Sequence, residues 1–321
     1  MIILAHVGPP GIIFQLRNFD VPLMVIVSGM SFGLAFKGEQ YSQYVWKRIK
    51  RLVFPVWIFL SIYFLFLFAL QADDLNFRMV LSSYFLIGGI GYVWIIRVFL
   101  LVALLAPFIY LFHKNTKSDS RYLSKLLAVF FLYEFCRYYF IPYLTGDMGE
   151  IVSLVFFYAI PYSILFALGL RIPTINNKNN MMFFLVVSIL FVGIASMLAY
   201  IHGEFMATQQ YKYPPSIYYF SYAISVSVFL WIVSSKIWKV VSRNRKAKSL
   251  ILFMAQNSIW IYLWHIPLIE FVKTNFFLKY LIVVSISVSI TYLQVWIVTN
   301  YLIKNCSSGR AKRNLKVLLT G

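Results

Sequence analysis

The chain has 321 residues, of which 61% are hydrophobic and only 12% are charged, and its formal net charge is +19. A soluble globular domain carries about twice that share of charged residues, so the composition excludes an ordinary soluble enzyme. Long apolar runs such as LVFPVWIFLSIYFLFLFAL (52–70) instead predict an all-α, polytopic integral membrane protein. We expect it to lie in the inner or plasma membrane of the cell.

The first predicted element is MIILAH (1–6), which ends at His6. A membrane-spanning helix needs about 20 apolar residues, so we expect the chain to begin partway through a membrane helix whose outer end carries His6. The later runs predict helices at 20–37, 52–71, 92–112, 125–142, 151–170, 181–201, 216–236, 250–270 and 279–303. Together they predict about ten transmembrane helices, the first one truncated, in one membrane-embedded domain (1–303) followed by a basic tail (304–321).

The basic residues are concentrated in alternate connections between these helices, in 37–51, 114–125, 171–178 and 236–248, and in the tail. An excess of Lys and Arg on one side is typical of cytoplasmic loops. We therefore expect the basic loops and the C-terminal tail to be cytoplasmic. Because topology accounts for the positive charge, nucleic-acid binding is not expected.

Several ionisable residues fall within predicted spans, where each costs about 2.5–3.5 kcal/mol on insertion scales. Glu134 and Arg137 are three residues apart and are expected to form an ion pair on one helix face. Arg97 either extends outward to the interface or faces a polar cavity. The simplest role for His265 is a hydrogen bond to a neighbouring helix.

Two further motifs place charged residues or glycines at helical spacing. In YVWKRIKRLVFP (44–55), Arg48 and Arg51 share a helix face that Lys47 widens. This group is either a topology anchor attracted to anionic lipid or a clamp for phosphate groups. In FDVPLMVIVSGMSFG (19–33), Asp20 and Pro22 favour a helix start, and the spacing of Gly29 and Gly33 predicts close helix packing.

Three stretches follow one another along the chain: first AHVGPP with VPLMVIVSGMSF after it, then YVWKRIKRLVFPVW, and last SIWIYLWHIPL. In this order they resemble the acyltransferase 3 family of ten-helix membrane O-acyltransferases. The resemblance implies that His6 is catalytic, either as the base for the acceptor hydroxyl or as a transient acyl carrier. It also implies that Arg48 and Arg51, with Lys47 beside them, engage acyl-CoA. The residues expected to line the cavity are Trp94, Arg97, Tyr262 and His265.

These observations predict an acyltransferase, of the class that transfers groups other than aminoacyl groups. It would move an acyl group, acetyl being expected, from acyl-CoA to a hydroxyl of a cell-envelope or exported polysaccharide or its precursor. Acyl-CoA is then a co-substrate, and no permanently bound cofactor or metal is expected. The alternative is a transporter or flippase for an envelope lipid or glycan precursor, with Glu134, Arg137 and His265 along the translocation path.

Overall fold

The computed structural model describes residues 1–72 and 75–321, apart from the side chain of Asp147. The fold is all-helical, with 81% of residues in helices and no β-strand in the described ranges. The α-helices, in chain order, are α1 (Ile2–His6), α2 (Gly11–Leu16), α3 (Asp20–Ala35), α4 (Tyr41–Ala69), α5 (Phe77–Tyr84), α6 (Trp94–Asn115), α7 (Asp119–Phe140), α8 (Gly146–Arg171), α9 (Asn177–His202), α10 (Ile217–Val241), α11 (Arg245–Gln256), α12 (Ser258–Phe271), α13 (Phe276–Ile297) and α14 (Gly309–Thr320).

Seven helical segments among the described residues are long and apolar enough to cross a membrane. They are Gly11–Ala35, Tyr41–Ala69, Trp94–Asn115, Met148–Thr174, Asn177–His202, Ile217–Val241 and Phe276–Leu302. The prediction of an all-α polytopic membrane protein is confirmed, but the predicted number of ten spanning helices is not. Helix α7 is long enough but carries several charged residues, and α12 has only 14 residues.

Two predicted helices differ from the observed ones. Helix α4 begins at Tyr41 rather than near 52, so the basic cluster lies inside the helix. The single helix predicted over 250–270 is two helices, α11 and α12, which separate at Asn257 (φ −110°, ψ 21°). The Asn257 side chain donates to the carbonyl oxygen of Phe253 (2.8 Å), a local bond of the kind by which Asn competes with a regular helix.

The chain divides into two compact units. Unit 1 comprises Met1–Pro10, Ser42–Leu100 and Trp238–Gly321, and unit 2 comprises Gly11–Tyr41 and Leu101–Ile237. Each unit brings together segments that are far apart in the sequence, and each is described on its own.

In unit 1, the five-residue helix α1 packs against α12 and α13. The buried core of this contact consists of Val7, Ile269 and Val283, with Ile3 and Leu4 packed beside it. A helix this short is not stable by itself in water. Its position is therefore set by its packing against the two longer helices.

The end of the chain also belongs to unit 1. The indole N–H of Trp260 donates to the carbonyl oxygen of Leu318 (3.2 Å). The amide of Gln294 donates to the carbonyl of Leu319 and accepts from the indole of Trp264, each at 2.7 Å. Part of the predicted basic tail is thus helix α14, bonded to α12 and α13. Its cytoplasmic location stays a prediction.

In unit 2, α3 and α8 lie in close contact along their length. Gly29 of α3 faces the backbone of Phe166 and Gly169 on α8, whereas Gly33 faces only the side chain of Leu170. The close packing predicted from the glycine spacing is therefore confirmed at Gly29. The helix start predicted at Asp20 is confirmed as well, and its Oδ1 accepts from the backbone N–H of Val21 (2.9 Å).

Candidate active site

Two histidines from opposite ends of the chain meet in unit 1. His6 is the last residue of α1, and His265 lies on α12. The two rings meet edge to edge, with centroids 5.1 Å apart and planes 15° from parallel, and Nδ1 of His6 lies 2.8 Å from Nε2 of His265. His265 is completely buried and His6 is half-buried. The predicted role of His265 in binding a neighbouring helix is confirmed, since α1 is that helix.

The hydrogen bonds around this pair define which ring nitrogens carry protons. Nδ1 of His265 bonds the backbone carbonyl oxygen of Tyr262, which can only accept, so this nitrogen carries the proton. In a neutral ring Nε2 of His265 is then an acceptor, and it accepts from Nδ1–H of His6. The lone pair of a neutral His6 is therefore on its Nε2.

Two tyrosines complete the group that we name the histidine cluster: His6, Tyr92, Tyr262 and His265. The ring of Tyr92 meets the ring of His6 edge-on, with centroids 4.9 Å apart. The hydroxyl of Tyr262 donates to the backbone carbonyl of Tyr92 (2.6 Å), which holds the loop before α6 against α12. Tyr92 was not predicted, and nothing in GGIGYVW (88–94) distinguishes it from any other aromatic loop residue.

A carboxylate lies beside the cluster. Glu270 of α12 accepts a hydrogen bond from the hydroxyl of Tyr63 on α4 (3.0 Å). Burial, and then the negative charge of Glu270, raise the pKa of the Tyr92 hydroxyl, so Tyr92 stays protonated at neutral pH. Glu270 is not among the predicted site residues, although it follows His265 by five positions on the same helix.

Arg97 and Trp94 lie at the start of α6. The guanidinium of Arg97 is buried and donates from one nitrogen to the carbonyls of Leu86 (2.8 Å) and Ile87 (2.7 Å). Leu86 has a positive φ of 60°, a conformation that costs a residue with a side chain about 1–2 kcal/mol. These bonds show Arg97 supporting a turn. Trp94 is half-buried at the first residue of α6.

The three predicted acyl-CoA residues lie on α4 in unit 1. Arg48 and Arg51 are one helical turn apart, and the guanidinium of Arg48 lies 4.9 Å from the centre of the Tyr44 ring. Lys47 and Arg51 are exposed, and Arg48 is half-buried. The three positive charges therefore lie within about one turn of α4, an arrangement that suits either a phosphate group or a lipid headgroup.

In unit 2, the predicted ion pair on α7 is confirmed: Nε of Arg137 lies 2.6 Å from Oε2 of Glu134. The other carboxylate oxygen accepts from the backbone N–H of Ile217, the first residue of α10. An acidic group at a helix N-terminus is stabilising. Both residues thus have structural contacts that account for their presence in an apolar region.

The fold and these contacts define a polytopic membrane protein whose short first helix presents a histidine to a second, buried histidine. A family model described as an acyltransferase domain, that of the acyltransferase 3 family, matches residues 1–300. The chain therefore belongs to the acyltransferase 3 family and is a membrane acyltransferase. No curated protein and no solved structure matches the chain.

Proposed function

We propose that this protein is an O-acyltransferase of the cell inner or plasma membrane. It moves an acyl group, with acetyl as the expected one, from cytoplasmic acyl-CoA to a hydroxyl of a cell-envelope carbohydrate. The observation that carries the proposal is the hydrogen-bonded pair of His6 and His265, together with the bond from His265 to the carbonyl of Tyr262.

His6 is the general base in this proposal. Its Nδ1–H is donated to His265, so its Nε2 is the nitrogen able to take a proton from the acceptor hydroxyl. His265 is a positioning residue, because it fixes the tautomer and the ring plane of His6 without reaching the reacting atoms itself. A charge on the fully buried His265 ring would be costly, which favours the neutral form on which this tautomer depends.

The reaction balances without any further reagent. Nε2 of His6 takes the proton of the acceptor hydroxyl while the hydroxyl oxygen attacks the thioester carbonyl carbon. The new C–O bond forms, the C–S bond breaks, and the leaving sulfur of CoA takes the proton from His6. The products are the O-acyl ester and free CoA, and His6 returns to its starting form.

Lys47, Arg48 and Arg51 hold the phosphate groups of acyl-CoA in this proposal. Guanidinium groups can bind phosphate with two parallel hydrogen bonds. These three cations lie within five residues of one helix, 47–51, and so span about 6 Å along its axis, a distance comparable to a pyrophosphate.

The test uses purified full-length protein in lipid nanodiscs with labelled acetyl-CoA and a crude envelope glycan fraction. Released CoA thiol and label in the glycan are both measured. We expect His6→Ala to lower the rate about 10²–10⁴-fold, the usual contribution of a general base. His265→Phe should lower kcat without changing the KM for acetyl-CoA, and His265→Gln, whose amide oxygen can still accept from His6, should recover part of the loss.

Retention of full activity by His6→Ala would exclude it as the base. If the wild-type protein releases no CoA, and substrate movement across the membrane stops when a proton gradient is dissipated, the protein is a transporter. The contacts already made by Glu134 with Arg137 and the Ile217 amide do not favour that alternative.

The acyl-CoA site has its own test. Arg48→Ala combined with Arg51→Ala should raise the KM for acetyl-CoA and leave kcat nearly unchanged. Lys50→Ala is the matched control, because Lys50 lies on the same helix and in the same basic stretch but extends towards the Trp46 ring. Equal effects of the two changes would favour a lipid anchor over a specific phosphate site.

A further inference from the structure

Helix α14 (Gly309–Thr320) carries positive charge that neither the fold nor the proposed function explains. Its sequence, GRAKRNLKVLLT, contains four Arg or Lys residues and no Asp or Glu. The helix lies beyond residue 300, where the match to the acyltransferase 3 family ends. Its positive charge is therefore a property of this chain rather than of the matched family domain.

One side of α14 is attached to the protein. The helix packs against α13 and against the turn Val298–Leu302 that follows α13. In its last turn, the carbonyl of Leu318 accepts a hydrogen bond from the indole of Trp260 on α12. The carbonyl of Leu319 accepts from the amide of Gln294 on α13. The last carbonyls of a helix have no partner within it, so α12 and α13 supply the bonds that the end of α14 lacks.

The other side of α14 is a row of positive charges. Three residues at intervals of three share this side and are exposed: Arg310, Arg313 and Lys316. We name them the α14 basic face. Among the residues that the structure describes, none of the three forms an ion pair, and 301–321 contains no Asp or Glu. Like charges one helical turn apart repel one another, so an anion from outside the chain would stabilise this side.

The bonds of its last turn show where α14 lies along α13. The apolar span that contains α13, Phe276–Leu302, has 27 residues and is about 40 Å long. The hydrocarbon core of a membrane is only about 30 Å thick, so this span is long enough to reach the lipid headgroups. Gln294, which bonds Leu319, lies eight residues before Leu302, or about 12 Å along the helix. Helix α14 therefore runs beside the end of α13 instead of projecting away from it.

The residues at the end of this span are those of a membrane interface. Trp296, Tyr301 and Leu302 are each between 44% and 54% exposed, and the rings of Trp296 and Tyr301 lie 5.4 Å apart. Exposed Trp and Tyr at the end of an apolar span are typical of the layer where the lipid headgroups meet the hydrocarbon. The α14 basic face is therefore at the level of the headgroups.

We propose that the α14 basic face binds the phosphate groups of anionic phospholipids. Arg310 and Arg313 can each donate two parallel hydrogen bonds to a phosphate, and basic residues next to a membrane helix attract anionic lipid. An acidic protein or a nucleic acid would approach from the solution, whereas the position of α14 beside the end of α13 favours the membrane. This binding does not depend on the proposed function.

Bound lipid also supports the helices of the candidate active site. The last turn of α14 bonds Trp260, which lies on the same helix as His265. Gln294 bonds both α14 and Trp264, the residue next to His265. Lipid that holds α14 in place therefore stabilises the contact between α12 and α13, and with it the position of His265.

The test measures the binding of phosphatidylglycerol and of phosphatidylcholine to the purified full-length protein, by native mass spectrometry in a neutral detergent. We expect phosphatidylglycerol to bind more tightly. A basic residue near an anionic surface contributes about five-fold to binding, so the triple variant Arg310→Gln, Arg313→Gln, Lys316→Gln should weaken the tightest phosphatidylglycerol site roughly 100-fold. Phosphatidylglycerol should also raise the heating midpoint of the wild type but not of this variant.

The matched control removes three positive charges from α11, which are exposed in the same unit: Arg245→Gln, Lys246→Gln and Lys248→Gln. This control should keep the tight phosphatidylglycerol site. In phosphatidylcholine alone, both triple variants should unfold at the temperature of the wild type, because Gln forms helices about as well as Arg and Lys do.

The proposal is overturned if phosphatidylglycerol binds no more tightly than phosphatidylcholine, or if the α14 and α11 variants weaken its binding equally. A raised KM for acetyl-CoA in the α14 variant, with lipid binding unchanged, would assign the α14 basic face to the phosphates of CoA and would also overturn the proposal. Lipid binding by a wild-type protein that transfers no acyl group would instead refute the proposed function and leave this site standing.

Discussion

The contact between α3 and α8 in unit 2 gives the sharpest prediction about the fold, which concerns Gly29. A methyl group added by Gly29→Ala would fall against the carbonyl oxygen of Phe166, well inside van der Waals contact. It would also lie 3.1 Å from the carbonyl carbon of Phe166 and 3.2 Å from the Cα atom of Gly169. All three are backbone atoms, so no side chain can turn aside to make room.

The size of the effect follows from this geometry. To restore an ordinary contact distance the two helices must separate by roughly 1 Å, and dispersion contacts along the interface weaken accordingly. Overpacking of this kind costs about 1–3 kcal/mol, and a rigid backbone neighbour places Gly29→Ala at the upper end of that range. For a chain of 321 residues the corresponding fall in the unfolding midpoint is roughly 3–5 °C.

Fluorescence-detected size-exclusion after heating measures this midpoint in one detergent for all variants. Gly33→Ala is the matched control on the same helix, because its added methyl meets only the side-chain end of Leu170, at 3.2 Å. Gly193→Ala on α9 meets nothing within 4 Å and reports helix propensity alone. If Gly29→Ala unfolds at the same temperature as Gly33→Ala, the close approach of α3 and α8 is refuted.

Two other changes test buried cations. Burial lowers the pKa of Lys212 from 10.5 to about 8, so between pH 8 and 10.5 the unfolded chain binds more protons than the folded one. Stability should therefore rise with pH across this window by about 3 kcal/mol. The rise in heating midpoint from pH 7.5 to 9.5 should shrink in Lys212→Met, and an unchanged pH slope would contradict the assignment. Arg97→Lys replaces the planar guanidinium that donates hydrogen bonds to the carbonyls of Leu86 and Ile87 with a single ammonium group. It should lower the heating midpoint and leave the KM for acetyl-CoA unchanged, whereas a raised KM at an unchanged midpoint would place Arg97 in the binding site instead.

Features that depend only on residues close together in the sequence could be predicted from it. The start of α3 at Asp20 follows from local helix preferences, and the Glu134–Arg137 pair follows from the i,i+3 spacing of one helix. The long apolar runs likewise predict membrane helices from length alone. The break at Asn257 was missed because the apolar pattern continues through it, and the side-chain bond to Phe253 that accompanies it leaves no trace in hydrophobicity.

The histidine cluster depends on contacts that no local pattern contains. His6 and His265 are 259 positions apart, and their pairing exists only because α1 packs on α12 and α13. Each histidine could be chosen separately as an intramembrane ionisable residue, and the family resemblance assigned a role to each. Neither argument predicted that one ring would bond the other, nor that Tyr92 would lie against His6.

The position of His6 is consequently set by residues near the other end of the chain. A five-residue helix cannot hold its own side chain in place, so the orientation of His6 comes from the packing of Val7 against Ile269 and Val283 and from the bond to His265. Helices α12 and α13 are in turn joined by the bond from Trp264 to Gln294, and Gln294 also bonds α14. Precise placement matters because proton transfer requires hydrogen-bond distance between the base and its substrate. The contacts that hold α12 and α13 together are therefore as necessary for the geometry of the candidate active site as the two histidines.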